Sequence, residues 1–270
     1  MSKGVYTFST FDCMKCAIIS HNIDFVSFLM NEYNIQTKLL NCVVHNNIQA
    51  FLAYLDQTKN INKCFIESPG FNLPPLCEYL FSKGADINAK DESGQTALFI
   101  AVRSGNAQSA EFLISQGAEI NARDKSGQTA LFIAARSGNA QIAEFLISQG
   151  AEINARDDKN NTPLFEAAIS NDTETIRCLL AHGADVNAIN FLGYNPLFYL
   201  LKRKNNINTT ENAEIFFSYG VDFNLKNNDG KKSFMKQQKF PTKLCSSYLY
   251  HMVLIFHQRV KMEKQHFITL

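Results

Sequence analysis

Four glycines, Gly84, Gly117, Gly150 and Gly183, stand 33 residues apart. The segments they open are near-copies. Residues 84–116 and 117–149 agree at 28 of 33 positions, differing only at Asp86/Glu119, Lys90/Arg123, Glu92/Lys125, Val102/Ala135 and Ser109/Ile142. A third unit, 150–182, has diverged further. A fourth, 183–219, is 37 residues long, its four extra residues falling in the polar run 205–208, and a partial fifth opens at Gly220. A period of this length marks a stack. Each unit is one supersecondary element whose apolar face is buried only by its neighbours.

The unit reads as two helices and a turn. Gly84 ends a helix, where a left-handed residue costs least. Asp91-Glu92-Ser93-Gly94 is a turn signal. Thr96 is placed to cap a first helix that runs from Ala97 to about Ser104. Gly105-Asn106 is a tight break, and a second helix spans 107–115 with Ala110, Leu113 and Ile114 on one face. Because neither helix buries its stripe alone, the predicted fold is an all-α repeat solenoid with β-hairpin or loop fingers.

The frame Gly-x-Thr-Ala-Leu-Phe, Gly-Asn, Glu-Phe-Leu, Gly-Ala-x-x-Asn, recurring at fixed spacing, resembles ankyrin repeats. That family opens its first helix with Thr-Pro-Leu-His. Here Phe99, Phe132, Phe165 and Phe198 replace the His, and Pro appears only at Pro163 and Pro196. The hydrogen bonds the family's His makes are therefore absent, and aromatic packing is expected in their place.

Residues 1–83 lack the finger motif but keep the helix text. Residues 17–30 align without gaps on 101–114, with Asn22 in the place of Asn106; residues 42–55 align on the same frame, with Asn47 there. The markers lie 25 residues apart, about one unit without its finger. The expectation is two or three fingerless helical hairpins stacked on the repeats as an N-terminal cap. This block resembles the uncharacterised helical domain that precedes ankyrin repeats in a very large protist family, chiefly through the run 71–79. The repeats proper are then 84–230.

Residues 231–270 fit no helix-turn-helix frame. Reading the last base of each codon with the first two of the next, Met252-Val253 and Met262-Glu263 each force a glycine. These are ten codons apart, like Gly84 and Gly94, and the first falls 33 residues after Gly220. The tail from about residue 236 is therefore expected to be a frameshifted reading of further repeats, or a gene-model error with the same signature. It is expected to be poorly ordered, with one short helix near 248–259. The basic run 231–243 then reads as a Lys-rich non-native segment, ahead of a nuclear signal or nucleic-acid patch. The array would end without a polar capping helix, leaving an apolar face of the fifth half-repeat exposed.

That tail changes the meaning of the bulk charge. The whole chain carries 26 Lys+Arg against 25 Asp+Glu. Residues 231–270 hold eight Lys+Arg and one Glu, leaving 18 basic and 24 acidic groups in residues 1–230. The apparent neutrality is an acidic array joined to a basic appendage.

The sequence holds no recognisable catalytic motif. Cys13-x-x-Cys16 is a metal-like or redox-like spacing, but a zinc site needs four ligands and no second pair exists. Cys42 and Cys77 fall in the small-residue slots of Ala101 and Ala110, and Cys178 in that of Phe112, all read as core positions. His182 precedes Gly183, where an imidazole suits a helix C-terminus. The acids at 86, 119, 152 and 185 recur at the repeat period, which marks a structural or solvated stripe. Seven cysteines without disulfide spacing suit a reducing compartment. No secretory h-region opens the chain, and 244–256 is too short and polar to span a bilayer. The expectation is a monomer of the cytoplasm or nucleus, without enzyme activity, cofactor or metal, binding neither nucleic acid nor membrane.

The resemblance places a partner protein in the concave groove of fingers and first helices, on positions free of structural duty. These are Lys90, Glu92, Ser93, Gln95 and Arg103 in the first unit, and Arg123, Lys125, Ser126, Gln128 and Arg136 in the second. The third offers Arg156, Asp158, Lys159, Asn161 and Ile169; the fourth offers Ile189, Phe191, Leu192, Tyr194 and Lys202. Arg103 and Arg136 form a ladder on the helix face. The fourth finger is apolar and aromatic, as binding hot spots are. Phe191 and Tyr194 are read either as that hot spot or as packing against the fifth repeat. The leading reading is a protein–protein interaction scaffold. The alternatives are a pathogen effector or adaptor acting on a host protein, and a truncated, decaying copy without function.

Overall fold

The computed structural model describes residues 10–33, 39–202 and 208–222. The expectations for the tail, its short helix and the fifth half-repeat beyond residue 222 lie outside the described residues. The described chain forms fourteen α-helices and, within those residues, no strand. They come in consecutive pairs. The first three are α1 (Thr10–Ile19) with α2 (Ile23–Tyr33), α3 (Leu39–Val44) with α4 (Ile48–Thr58), and α5 (Ile61–Glu67) with α6 (Pro74–Ser82). Four more carry the 33-residue text: α7 (Ala97–Arg103) with α8 (Ala107–Ser115), α9 (Ala130–Ser137) with α10 (Ala140–Ser148), α11 (Pro163–Ser170) with α12 (Thr173–Ala181), and α13 (Pro196–Lys202) with α14 (Asn208–Ser218).

Pairs stack into two layers. The first helices touch in unbroken order, from α1 on α3 through α5, α7, α9 and α11 to α13. Second helices form the other layer, with α2 on α4, α6 on α8, and α10 on α12 on α14. One apolar core runs between the layers, from Met14 to Val221.

The Asn markers have a physical role. The side-chain oxygens of Asn22, Asn47, Asn106 and Asn139, and of Asp172, accept the backbone N–H three residues on, each capping a second helix. The amide of Asn47 donates to Ile18 O (3.0 Å) and that of Asn106 to Pro69 O (3.2 Å), tying each cap to the preceding pair. Residues 10–58 thus share the capping chemistry of the repeats although they lack fingers.

Two readings of the sequence are corrected here. Thr96, Thr129 and Thr162 occupy the N-cap position of α7, α9 and α11, but none caps through its side chain. Their extended backbone, with ψ near 170°, leaves the first amides to be met by the carbonyl, as in Phe99 N–H to Thr96 O at 3.0 Å. The hydroxyls of Thr129 and Thr162 are buried with no hydrogen-bond partner. They lie in the units where Phe132 and Phe165, which offer no polar atom, stand in place of the family's His. Replacing Thr129 or Thr162 by Val keeps the shape and removes an unpaired buried hydroxyl, so each variant should gain about 1 kcal/mol in urea unfolding. Thr→Ser at the same sites should give no gain.

The second correction concerns the cysteines. Cys42 and Cys77 are fully buried, but Cys178 is only half-buried, because the Phe112 slot it fills lies at the edge of the second-helix layer. Phe99, Phe132 and Phe165 are fully buried, as packing in place of His requires; Phe198 is half-buried.

Candidate functional site

Each finger is built on one short side chain. Oδ1 of Asp91 accepts the N–H groups of Ser93 and Gln95, both at 2.8 Å. Asp124, Asp157 and Asn190 repeat the arrangement in the next three fingers. Successive fingers are then joined by backbone bonds: Lys125 N–H to Ser93 O (2.9 Å), Asp158 N–H to Ser126 O (3.0 Å) and Phe191 N–H to Lys159 O (3.1 Å). These turns and links hold the finger array without a β-hairpin.

Several positions read as free of structural duty are engaged. Lys90 Nζ donates to Arg123 O (3.3 Å). Arg123 donates through one nitrogen to Gly127 O and to Arg156 O (2.6 Å), and Arg156 donates in the same way to Asn160 O and to Ile189 O (3.1 Å). Each long cation thus spans to the carbonyl of the same position one unit on. Arg103 donates to Gln95 Oε1 (2.9 Å) and Arg136 to Gln128 Oε1 (2.7 Å), locking the helix face to the finger. Asn161 is held by Asp157, and Arg136 also pairs with Glu166 at 3.0 Å. That carboxylate, whose side chain is 11% exposed, holds the Arg136 guanidinium above its ordinary pKa. The ladder of Arg103 and Arg136 is therefore real but braced.

The other predicted positions are displayed. Glu92, Ser93, Lys125, Ser126, Asp158, Lys159 and Lys202 are exposed; Ile169 is half-buried. In the fourth finger Phe191 and Leu192 are 66% and 63% exposed and Ile189 is 37% exposed. Tyr194 differs from them. It stacks on Phe198 of its own unit with ring centroids 4.0 Å apart, and Tyr199 meets both rings edge-on. The finger divides into an aromatic base that packs and an apolar tip that faces out.

The Asn of the Gly-Ala-x-x-Asn frame, to which the sequence assigns no role, ties each unit to the next. Asn88, Asn121, Asn154 and Asn187 each accept the backbone N–H two residues past the next repeat glycine, at 2.6–2.8 Å. Asn121, Asn154 and Asn187 also donate to that glycine's carbonyl at 3.1–3.2 Å. Their recurrence at the repeat period was the available signal. His182 meets its expectation: Nδ1 lies 2.8 Å from Cys178 O at the end of α12.

Burial pushes the Cys42 and Cys64 thiols up to about 12, and raises Cys77 as well, which keeps them protonated and unreactive at neutral pH. Cys13 is half-buried and Cys16 exposed on α1, both as free thiols. Among the described residues, no group of three or more His, Cys, Asp or Glu is placed to hold a metal ion. Among the same residues, no helix is long and apolar enough to cross a membrane.

Glu67, at the end of α5, occupies the place that Arg103 and Arg136 hold in later pairs. Burial pushes its carboxyl above the ordinary range, against the pull of the Arg103 charge, and its Oε2 has no hydrogen-bond partner. A carboxyl raised by folding favours the protonated chain. Stability from this group rises as pH falls through the folded pKa and is levelled below the unfolded one. Glu67→Gln should therefore unfold at higher denaturant than the parent at pH 7, with the difference shrinking as pH falls through the raised folded pKa and levelling off below the ordinary carboxylate range.

Comparison with known families agrees with this architecture. Residues 6–54 match a domain of unknown function (DUF3447), so an uncharacterised domain precedes the repeats. The run 71–79 falls outside that match. Its residues 74–79 lie in α6, whose packing on α8 places them in the second-helix layer of the repeats, and 71–73 lead into that helix. No curated protein matches the chain. Residues 66–157 and 154–227 match the family described as ankyrin repeats (3 copies), which together cover more than half of the sequence. The chain belongs to the ankyrin-repeat family.

Proposed function

We propose that the protein is a non-catalytic interaction scaffold that holds a partner protein on the surface formed by its fingers and first helices. Ankyrin repeats generally mediate protein–protein interactions and are typically non-catalytic. The observation that carries the reading is the bracing of the fingers. Asx turns, finger-to-finger backbone bonds and the Lys90–Arg123–Arg156 chain fix the tips before any partner arrives. A pre-formed surface orders little on binding, so more of the contact energy appears as affinity.

The working species is taken to be a monomer of the cytoplasm or nucleus. The binding set is the displayed part of the predicted one: Glu92, Ser93, Lys125, Ser126, Asp158, Lys159, Ile189, Phe191, Leu192 and Lys202. A photo-crosslinking residue placed at Ser126 should capture partner protein in cells, whereas the same residue at Gln141, on the outward side of α10, should not. Capture confined to Gln141 would move binding to the second-helix layer and overturn the reading.

A further inference from the structure

The two layers carry opposite charge. On the finger and first-helix side the exposed cations are Lys90, Arg103, Arg123, Lys125, Arg136, Arg156, Lys159 and Lys202, against Glu92 and Asp158 as the exposed carboxylates of those fingers. Asp91, Asp124 and Asp157 also belong to the fingers, but one oxygen of each, Oδ1, is taken up by backbone N–H groups, and none of the three is exposed. The second-helix side is the reverse. Glu78, Glu111 and Glu144 recur on the exposed side of α6, α8 and α10, and Asp86, Glu119 and Glu152 recur on the turns that follow. Glu78, Glu111 and Glu144 thus lie behind the groove, whose exposed charges are mostly basic, while Glu152 reaches Arg123 at 3.6 Å. At the fourth unit the cationic tips give way to the apolar tip of Ile189, Phe191 and Leu192.

We infer that the groove takes an acidic, extended protein segment carrying large apolar side chains at one end. The carboxylates would lie along the fingers of the first three units, and the apolar end on the fourth. Charge complementarity selects the partner and speeds its arrival, while the apolar tip supplies desolvated contact. A nucleic acid fits less well, because Glu92 and Asp158 interrupt the cations at the tips and the apolar tip of Ile189, Phe191 and Leu192 offers no phosphate contact. The inference rests on the groove reading above and narrows it to one class of partner.

The test uses the full chain and fluorescein-labelled peptides: one of alternating Asp and Ser ending in Phe-Leu-Phe, its Asn-for-Asp analogue, and oligouridylate as the polyanion control. The acidic peptide should bind and the Asn analogue should not. Binding should weaken as ionic strength rises and the Debye length shortens to about 8 Å. Lys125→Glu/Lys159→Glu should weaken it by about tenfold or more, and the neutral pair Lys125→Gln/Lys159→Gln by less. Neither lysine side chain forms a hydrogen bond or ion pair among the described residues that these changes would break, and circular dichroism checks each variant. Glu111→Lys/Glu144→Lys, on the opposite layer, should leave binding intact. Leu192→Ser should weaken the peptide with the apolar end and leave one lacking it unchanged.

Binding that ignores the Lys125/Lys159 reversals, with the basic tail holding the probe, would overturn the inference. So would oligouridylate competing as well as the peptide, or a peptide effect that proves to be displacement of a second copy of the chain in sedimentation. Capture at Ser126 together with charge-insensitive peptide binding would leave the groove reading standing and the acidic partner refuted. Absence of capture at Ser126 would remove both.

Discussion

Phe132→Ala should cost about 3–5 kcal/mol, the usual range for emptying a fully buried aromatic site. Phe132 is completely inaccessible in α9, at the centre of the first-helix layer between α7 and α11. Its loss weakens two unit-to-unit interfaces at once. In a stack held by nearest-neighbour contacts, an interface weakened in the middle divides the array. Unfolding in urea, followed by circular dichroism, should therefore change from one transition to two, with the midpoint of the weaker part shifted most. Phe132→Leu retains most of the volume and should cost about 1 kcal/mol without splitting the transition. A single unshifted transition for Phe132→Ala would mean that the ring does not do the work assigned to it in place of the family's His.

The parts of this fold that were legible in sequence are those carried by local chemistry. The break at Gly105-Asn106 was visible because Asn is the capping residue of α8, and Asn22 and Asn47 announced fingerless pairs by the same route. The bracing of the groove was not read, although its signal was present. Lys90, Arg123 and Arg156 recur as cations at the repeat period, and their bonds reach carbonyls 33 positions away, where no local pattern leads. A long cation repeated at that spacing was read as surface free to bind. The same residue is also the right length to span two fingers. The placement of charge is a separate matter from its sum. A net count over residues 1–230 describes their composition, and the two-layer stack then puts Glu78, Glu111 and Glu144 on the second helices and Lys125 and Lys159 on the fingers. Function follows from the sorted surface.

Conformational strain gives the other large expected effect. Gly127 and Gly150 both lie in the left-handed region, with φ of +73° and +95°. A side chain at either position pays the cost of that conformation, about 1 kcal/mol or more for a non-glycine residue. They differ in surroundings. A Cβ at Gly150 meets nothing within 4 Å. At Gly127 it would come within 3.0 Å of Asp158 N, 3.3 Å of Asp157 C and 2.6 Å of Asp158 Oδ1. Two of these atoms are backbone of the next finger, held by the Asp158 N–H to Ser126 O bond, so they do not yield cheaply. Gly150→Ala should therefore cost about 1 kcal/mol and leave binding unchanged. Gly127→Ala should cost about 2–4 kcal/mol, since overpacking adds to the strain. It should also separate the second finger from the third, weakening partner capture at Ser126 even at temperatures where the stack remains folded. Equal stability loss in the two variants would show that the fingers slide freely past one another, and the pre-formed groove would lose its physical basis.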